Sequence, residues 1–393
     1  MRRIYLDNNA TTQIATEVVE AMLPCFRESY GNASSVHWYG QEAKALMDKG
    51  RQQVATFLHA EPNEIVFTSG GTESDNLAIR GIVESVPGTG KHVITSQIEH
   101  HAVLHACQML QKLGIKVTYA PVDAEGLVDP AEIEKSITPE TVLISIMHSN
   151  NEIGTIQPVQ EIGAIARARD IYFHTDAVQA AGKVPLDVEQ MGVDLLSIAG
   201  HKFHAPKGVG ALYIKKGTKI RPLLYGGAHE RNRRAGTESI PHIVALGRAA
   251  ELAMTEMENN TRRILELRDY CETEILRRVP HTFLNGSRTR RIPNTANIRF
   301  DQVESEALLI NLDLAGVACS TGSACASGSI EPSHVLTALG LPPEQAFSSV
   351  RFSLSKFTTR EEIDHVLNLL PEMVERLREK SPQHNKSFVM HAE

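Results

Sequence analysis

Several residue types and patterns that define classes of protein are scarce in this sequence. It has five cysteines among 393 residues, an odd number, and none of them forms a C-x-x-C pair. A disulfide scaffold or a zinc site requires a denser set of cysteines, so we expect neither, and no metal site is predicted. Sparse cysteines are typical of a reducing compartment, and we expect the protein in the cytoplasm.

Long apolar runs and basic tracts are missing as well. No run of about eighteen apolar residues occurs, so no membrane-spanning helix is predicted. The N-terminal residues lack the apolar segment of a secretory signal, and none is expected. The formal net charge is -7 and no stretch is rich in lysine and arginine, which argues against direct nucleic-acid binding. The rest of the composition is that of an ordinary globular protein.

Short apolar runs alternate with helical patterns through much of the chain. Apolar runs at 64–68, 92–95 and 142–148 are each followed by a segment with helical spacing of its apolar residues. This alternation is typical of a mostly parallel sheet that is covered by helices on both faces. The sequence therefore predicts an α/β fold.

The pattern changes after a long helical segment at 244–278, beyond which a smaller α+β arrangement follows. A helix of that length could connect two domains. We predict a large domain at 13–255, and a small domain formed by residues 1–12 together with 256–393.

Lys202 stands in an unusual place for a surface charge. It follows an apolar run at 193–199 and precedes a Pro-Lys-Gly turn that leads into another apolar strand. A lysine withdrawn from water loses its proton more easily and can serve as a nucleophile or form a Schiff base. The ordinary alternative is an exposed loop lysine, and that alternative suits Lys207 within the turn.

Two strand ends carry groups that could bind an anion or a cation. The segment TSGGTES at 68–74 joins a strand to a helix, where glycines and helix amides can surround a phosphate. A plain helix start with Thr72 as its N-cap is the alternative. Asp176 ends an apolar strand, and a buried carboxylate there needs a partner such as a protonated pyridine nitrogen. Its alternative is also a helix N-cap.

Four further residues could carry chemistry. His100 can stack on a planar ring and move protons, although an isolated histidine is more often just a hydrogen-bonded polar residue. Asn151 follows a strand and could equally belong to a turn. The guanidinium of Arg351 suits a carboxylate, with a surface ion pair as its alternative. Cys325 lies among small residues, so we expect an exposed and reactive thiol.

Taken together and in order, these stretches resemble one family. They are YLDNNATT (5–12), FTSGGTESDNLAI (67–79), EHHAVL (99–104), MHSNNEIGTIQP (147–158), HTDAVQ (174–179), GHKFHAPKGVGALYI (200–214), STGSACASGSIEPSHVL (320–336) and RFSLSKFTT (351–359). The chain resembles the pyridoxal-phosphate-dependent cysteine desulfurases of the NifS/IscS type from about residue 3 to about residue 375. That resemblance implies the aspartate-aminotransferase-like fold, also called fold type I.

The resemblance also implies how the cofactor is held. Lys202 would bind pyridoxal phosphate covalently, His100 would stack over its ring, and Asp176 would pair with the ring nitrogen. Gln179 would bond the phenolic oxygen. The phosphate would be bound by Gly71, Thr72, His201 and Thr237. Of these residues, Thr237 would come from the other subunit of a homodimer. Four positions depart from common members: Ala199 replaces a serine, Gly71 an alanine, Lys356 an arginine and Ala33 a proline.

For the substrate, the resemblance implies that Asn151 and Arg351 hold L-cysteine, with Arg351 at the carboxylate. Cys325 would attack the substrate sulfur and become a persulfide, and L-alanine would be released. The sulfur would go to an acceptor such as an iron–sulfur scaffold protein, to tRNA thiolation, or to a nitrogenase-type assembly. Two alternatives stay open: a selenocysteine lyase of the same family, and a thiol sulfurtransferase that works without pyridoxal phosphate.

Overall fold

The computed structural model describes residues 3–321 and 331–380. Its strands are β1 (Ile4–Tyr5), β2 (Ile65–Thr68), β3 (His92–Ser96), β4 (Lys116–Ala120), β5 (Thr141–Ser145), β6 (Tyr172–Asp176), β7 (Leu195–Ala199), β8 (Gly210–Ile214), β9 (Thr282–Leu284), β10 (Thr295–Phe300), β11 (Val317–Ala318) and β12 (Ser349–Ser353). Its helices are α1 (Thr16–Arg27), α2 (Trp38–Leu58), α3 (Gly71–Ser85), α4 (His101–Lys112), α5 (Pro130–Ser136), α6 (Val159–Ala168), α7 (Val188–Met191), α8 (Ile240–Arg278), α9 (Ser305–Leu314), α10 (His334–Ala338), α11 (Pro343–Ala346) and α12 (Arg360–Glu379).

The larger sheet of the described residues has seven strands in the order β2-β8-β7-β6-β5-β3-β4. Six of its strands run in the same direction, whereas β8 runs antiparallel to both of its neighbours, β2 and β7. All five residues of β7 are buried, as are those of β3 and β8. Strands that helices cover on both faces consist largely of apolar residues. The sequence therefore shows apolar runs that alternate with helical segments.

The remaining described strands form two small sheets, β12-β10-β9 and β1-β11. The N-terminal strand β1 pairs with β11, more than three hundred residues later in the chain. Ile4 and Leu6 consequently belong to a second apolar core, together with Ile298 and Phe352. This arrangement agrees with a small domain that includes the N-terminal arm, while its exact limits stay a prediction.

Helix α8 spans 39 residues and reaches both cores. Ile243 and Leu246, near its start, pack in the core of the large sheet. Ile264 and Ile275, farther along, pack in the second core. The helix predicted at 244–278 therefore exists and begins four residues earlier, at Ile240. Within the described ranges, no helix combines the length and the hydropathy needed to cross a membrane.

The parallel strands bring their carboxyl ends to one edge of the sheet, and this edge positions the candidate site. His100 follows β3, Asn151 follows β5, Asp176 ends β6 and Lys202 follows β7. Because neighbouring parallel strands end side by side, residues far apart in the sequence meet there.

Candidate active site

A cavity of about 380 Å³ lies at this edge of the sheet. Nine of the eleven predicted site residues line it: Gly71, Thr72, His100, Asn151, Asp176, Gln179, His201, Lys202 and Arg351. The fold therefore gathers residues that span 280 positions of the sequence around one cavity. The individual roles of these residues stay predictions.

Lys202 ends the short 3-10 helix Gly200–Lys202, which directly follows β7. Its Nζ donates hydrogen bonds to the backbone oxygen of Asn9 at 2.6 Å and to that of Ala10 at 2.8 Å. These two carbonyls belong to the N-terminal arm and hold the lysine head inside the cavity. Lys207, five residues later, is exposed to solvent. The two lysines thus differ in surroundings as the sequence predicted.

Helix α3 begins at the cavity with an N-terminus that no side chain caps. Gly70 is its N-cap, at φ 151°, so Thr72 lies within the first turn and is not the N-cap. An uncapped helix start leaves backbone N–H groups available to an anion. Gly71 is closely packed, because a Cβ at this position would lie 2.8 Å from Cγ2 of Val178.

Three buried carboxyl groups lie at the cavity, and two of them, Asp75 and Asp176, line it. Burial raises the pKa of Asp176 to about 6, and it raises that of Glu99 to about 8. The pKa of Asp75 is raised by burial and by the nearby charge of Asp176. Oδ1 of Asp75 has no hydrogen-bond partner among the described residues. A concentration of buried acids of this kind favours a cation or a protonated ring nitrogen in the cavity.

The histidines of the cavity are neutral at neutral pH. Burial, with help from the charge of Lys202, lowers the pKa of His100 and of His201 to about 4. His100 is the N-cap of α4, and its Nδ1 accepts a hydrogen bond from the backbone N–H of Ala102. The ring hydrogen is therefore on Nε2, which makes His100 a donor and a stacking surface and not a fixed positive charge.

Arg351 enters the cavity from β12 and is only 2% exposed. Its Nη2 lies 2.7 Å from Oδ1 of Asp7, and its Nη1 donates to the backbone oxygen of Asn151 at 2.9 Å. The backbone of Arg351 is also hydrogen-bonded in both directions to Ser320. The guanidinium thus joins the arm to the loop after β5, while the backbone of the same residue pairs with Ser320.

One predicted residue that the structure describes does not line the cavity. Thr237 is exposed and borders a separate cleft that includes Ser69 and Arg234. Cys325 lies outside the described residues. The chain on both sides of its segment is attached near the cavity, since Ser320 bonds Arg351 and the ring of His334 bonds the backbone oxygen of Glu99.

Other cavity residues had no role in the sequence-based prediction. Asn9 and Ala10 act through backbone oxygens, which every residue type carries, so their identity gave no signal. Asp7 lies in the polar N-terminal motif, and nothing in that motif indicates that its carboxylate pairs with Arg351. Lys183 is 9% exposed and sits behind Gln179. Among the described residues, no cluster of three metal-ligating side chains is present.

Pyridoxal phosphate carries an anionic phosphate and a ring nitrogen that can be protonated, and the site offers a partner for each. The uncapped start of α3, beside Gly71 and Thr72, suits the phosphate. Buried Asp176, whose pKa is raised to about 6 by burial, suits the ring nitrogen. Lys202 lines the same cavity and suits covalent attachment. The residues present therefore fit this cofactor.

Comparisons with known proteins agree with this site. The family model for class-V aminotransferases matches residues 4–366. A cysteine desulfurase IscS of Dictyoglomus turgidum is 52% identical over 381 residues, covering 97% of this chain and 97% of that protein. A cysteine desulfurase IscS of Methanosarcina thermophila is 54% identical over 387 residues, covering 98% of this chain and 96% of its own.

A solved structure of a NifS-like protein matches with a TM-score of 0.90 and 39% identity, covering 96% of this chain and 100% of that one. The family and fold type predicted from the sequence motifs are confirmed by these matches. The chain therefore belongs to the class-V aminotransferase family, as a pyridoxal-phosphate-dependent enzyme of fold type I.

Proposed function

We propose that this protein is a cysteine desulfurase, which converts L-cysteine to L-alanine and retains the sulfur as a persulfide on Cys325. Relatives of this name are 52% and 54% identical to the chain over nearly its whole length. The cavity supports the proposal because it holds a lysine for the cofactor and an arginine for an amino-acid carboxylate. A thiol sulfurtransferase without a cofactor would leave this cavity without a purpose.

The observation that carries the proposal is the attachment of the Cys325 segment to the cavity. Ser320 pairs through its backbone with Arg351, the expected carboxylate ligand. On the other side of the segment, Oγ of Ser333 donates to Oε2 of Glu152 at 2.6 Å. Cys325 is five positions after Ser320, and five residues span at most roughly 17 Å. The length of the chain therefore keeps Cys325 within that reach of Ser320, which pairs with the expected carboxylate ligand.

The cavity residues divide the tasks of this reaction among them. Arg351 would bind the substrate carboxylate, and Lys202 would hold the cofactor and then act as a base for the α-proton. When bound, pyridoxal phosphate supplies an electron sink for the negative charge that this proton leaves behind. Asp176 would stabilise the positive ring nitrogen, and Gln179 would donate to the phenolic oxygen. His100 would stack on the ring and, being neutral, can give a proton through Nε2.

Sulfur transfer requires a nucleophilic thiolate. The thiolate of Cys325 forms an S–S bond with the substrate sulfur while the C–S bond of the substrate breaks. The electron pair of that bond stays on the substrate carbon, which takes a proton, so alanine leaves and the enzyme carries the persulfide. Burial raises the pKa of the thiols of Cys107, Cys271 and Cys319, which makes them poor nucleophiles at neutral pH.

The proposal extends to a homodimer. Large aromatic side chains are exposed on one chain, among them Tyr30 at 65%, Trp38 at 63% and Tyr225 at 78%. Exposed apolar groups of this size are common at protein interfaces. Thr237 is exposed and lies outside the cavity of its own chain, so it is available to bind phosphate in the site of a partner subunit.

The sulfur acceptor and the compartment also belong to the proposal. A persulfide passes its outer sulfur to another thiolate, so we expect a thiol-bearing acceptor such as an iron–sulfur scaffold protein. The four described cysteines are free thiols, which suits the reducing cytoplasm.

The test measures alanine release from L-cysteine by the wild type and by Cys325→Ala, with Cys319→Ala as the matched control. We expect C325A to lose alanine release while it keeps the visible absorption band of the bound cofactor. C319A should retain the activity. Full activity of C325A would show the persulfide step to be wrong. A repeat with L-selenocysteine separates a selenocysteine lyase, which would release alanine from that substrate without Cys325.

A further inference from the structure

Lys183 is a buried cation for which the reaction above has no use. It lies in the turn that follows β6 and is 9% exposed. The charged groups that act on it are other cations, Lys202 and Arg351. Burying a lysine next to like charges costs free energy, so a contact that needs its ammonium should explain its presence.

The contact of Lys183 is with Gln179. Its Nζ donates to the backbone oxygen of Gln179 at 2.9 Å and to the side-chain oxygen Oε1 at 3.1 Å. On the other side, Nε2 of Gln179 donates to the backbone oxygen of Asn9 at 2.9 Å. The same oxygen of Asn9 accepts the hydrogen bond from Lys202. One chain of contacts thus connects Lys183, Gln179, Asn9 and Lys202.

These two neighbours allow only one orientation of the Gln179 amide. An ammonium can only donate, so Oε1 must face Lys183. A carbonyl can only accept, so Nε2 must face Asn9. Burial and the nearby cations lower the pKa of Lys183 to about 7, yet even a neutral amine has two hydrogens for its two oxygen partners. A rotated amide would place two oxygens opposite each other at Asn9.

We propose that Lys183 is a positioning residue, which fixes the Gln179 amide so that the cavity receives an N–H donor and not an oxygen. Nε2 carries two hydrogens, and Asn9 uses one of them. The second is left for a ligand in the cavity that Gln179 lines. This inference rests on the proposed function, in which that ligand is the phenolic oxygen of pyridoxal phosphate. If the Gln179 amide were free to rotate, its Oε1 would face the phenolic oxygen of the cofactor part of the time.

The test compares Lys183→Met with Lys356→Met. Both lysines border the same small cavity of about 40 Å³, but Lys356 pairs with Glu256 and does not contact Gln179. Cofactor-free protein is titrated with pyridoxal phosphate. We expect K183M to bind it about tenfold more weakly, because a directed hydrogen bond is lost, and to shift the visible absorption band. K356M should match the wild type in both measurements.

A double-mutant cycle separates positioning from a general structural role. If Lys183 acts through Gln179, K183M has no further effect on cofactor affinity or on the absorption band once Gln179→Met is present. Equal effects of K183M in both backgrounds would overturn the proposal. So would a K183M protein with the affinity and the absorption band of the wild type.

A second variant covers the case in which K183M does not fold. Gln179→Glu can form an ion pair with Lys183, but it removes the N–H donor from the cavity together with the hydrogen bond to Asn9. We expect weakened cofactor binding by the folded variant, and unchanged binding would refute the donor. A wild-type protein that binds no pyridoxal phosphate would instead contradict the proposed function, so the two failures are distinguishable.

Discussion

The cavity has two sides, and they are built in different ways. The sheet side consists of α3 and the residues at the ends of β3, β6 and β7, among them His100 and Asp176. Each of its polar groups directly follows an apolar strand or begins a helix. The arm side consists of residues 7–10 and β12. Arg351 of β12 is paired there with Asp7, which is 344 positions away in the sequence.

The two sides also differ in their ionisable groups. Buried carboxyl groups with raised pKa values collect on the sheet side, whereas Arg351 and the ammonium of Lys202 face the arm. A cofactor with a cationic ring nitrogen suits the first side, and a substrate carboxylate suits the second. One fold can thus present two separate binding chemistries when strand ends supply one and a distant arm supplies the other.

The largest effect is expected for the substitution Arg351→Lys, which changes the arm side alone. Lysine keeps the charge but loses the forked pair of donors, and we expect kcat/KM for L-cysteine to fall about 100-fold. Because the sheet side is untouched, affinity for pyridoxal phosphate and its absorption band should match the wild type. Steady-state kinetics and a cofactor titration check both statements. A loss of cofactor affinity as large as the loss of kcat/KM would contradict the separation of the two sides.

A smaller effect should come from overfilling the sheet side with Gly71→Ala. The added methyl group would lie 2.8 Å from Cγ2 of Val178, and overpacking of this kind costs about 1–3 kcal/mol of unfolding free energy. Urea unfolding of cofactor-free protein measures this loss. In the double variant with Val178→Ala the loss should largely disappear, since the space is then open. If G71A is as stable as the wild type, Val178 does not restrict this position.

The smallest effect concerns pH on the sheet side. Burial raises the pKa of Glu99 from 4.5 to about 8 in the folded protein, so the folded state holds this proton where the unfolded state has lost it. The contribution of Glu99 is therefore fully present below about pH 4.5 and is lost as the pH rises towards 8. Relative to Glu99→Gln, the cofactor-free wild type should become less stable between pH 6 and pH 8.5.

The measurement is the urea midpoint of both proteins at the two pH values. Groups other than Glu99 titrate in both proteins, so their contributions largely cancel in the difference. A difference between the wild type and E99Q that is independent of pH would show that Glu99 is ionised in the folded protein.

Much of the sheet side could be predicted from the sequence. Lys202 and Asp176 each stand next to an apolar run, and the two glycines before Thr72 stand between a strand and a helix. Parallel strands must be apolar throughout, so the first polar residue after such a strand is conspicuous. Because all those strands end at one edge, a local pattern was enough to predict that these residues meet.

The arm side could be predicted only in part. Arg351 and Cys325 were chosen as site residues, but nothing near either of them in the sequence indicates the pairing of Arg351 with Asp7 or with Ser320. The orientation of Gln179 by Lys183 could not be predicted either, since a lysine four residues after a glutamine is common in any turn or helix.

Residue types and local spacing are enough to indicate the family and the alternation that forms the parallel sheet, and they predict which residues carry the chemistry. The packed fold is needed to show which backbone oxygens hold Lys202, which carboxylate pairs with Arg351, and which side chain restricts Gly71. Backbone oxygens are the same in every residue, and contacts between distant segments arise only when the chain is packed. Such contacts have no local signal in the sequence.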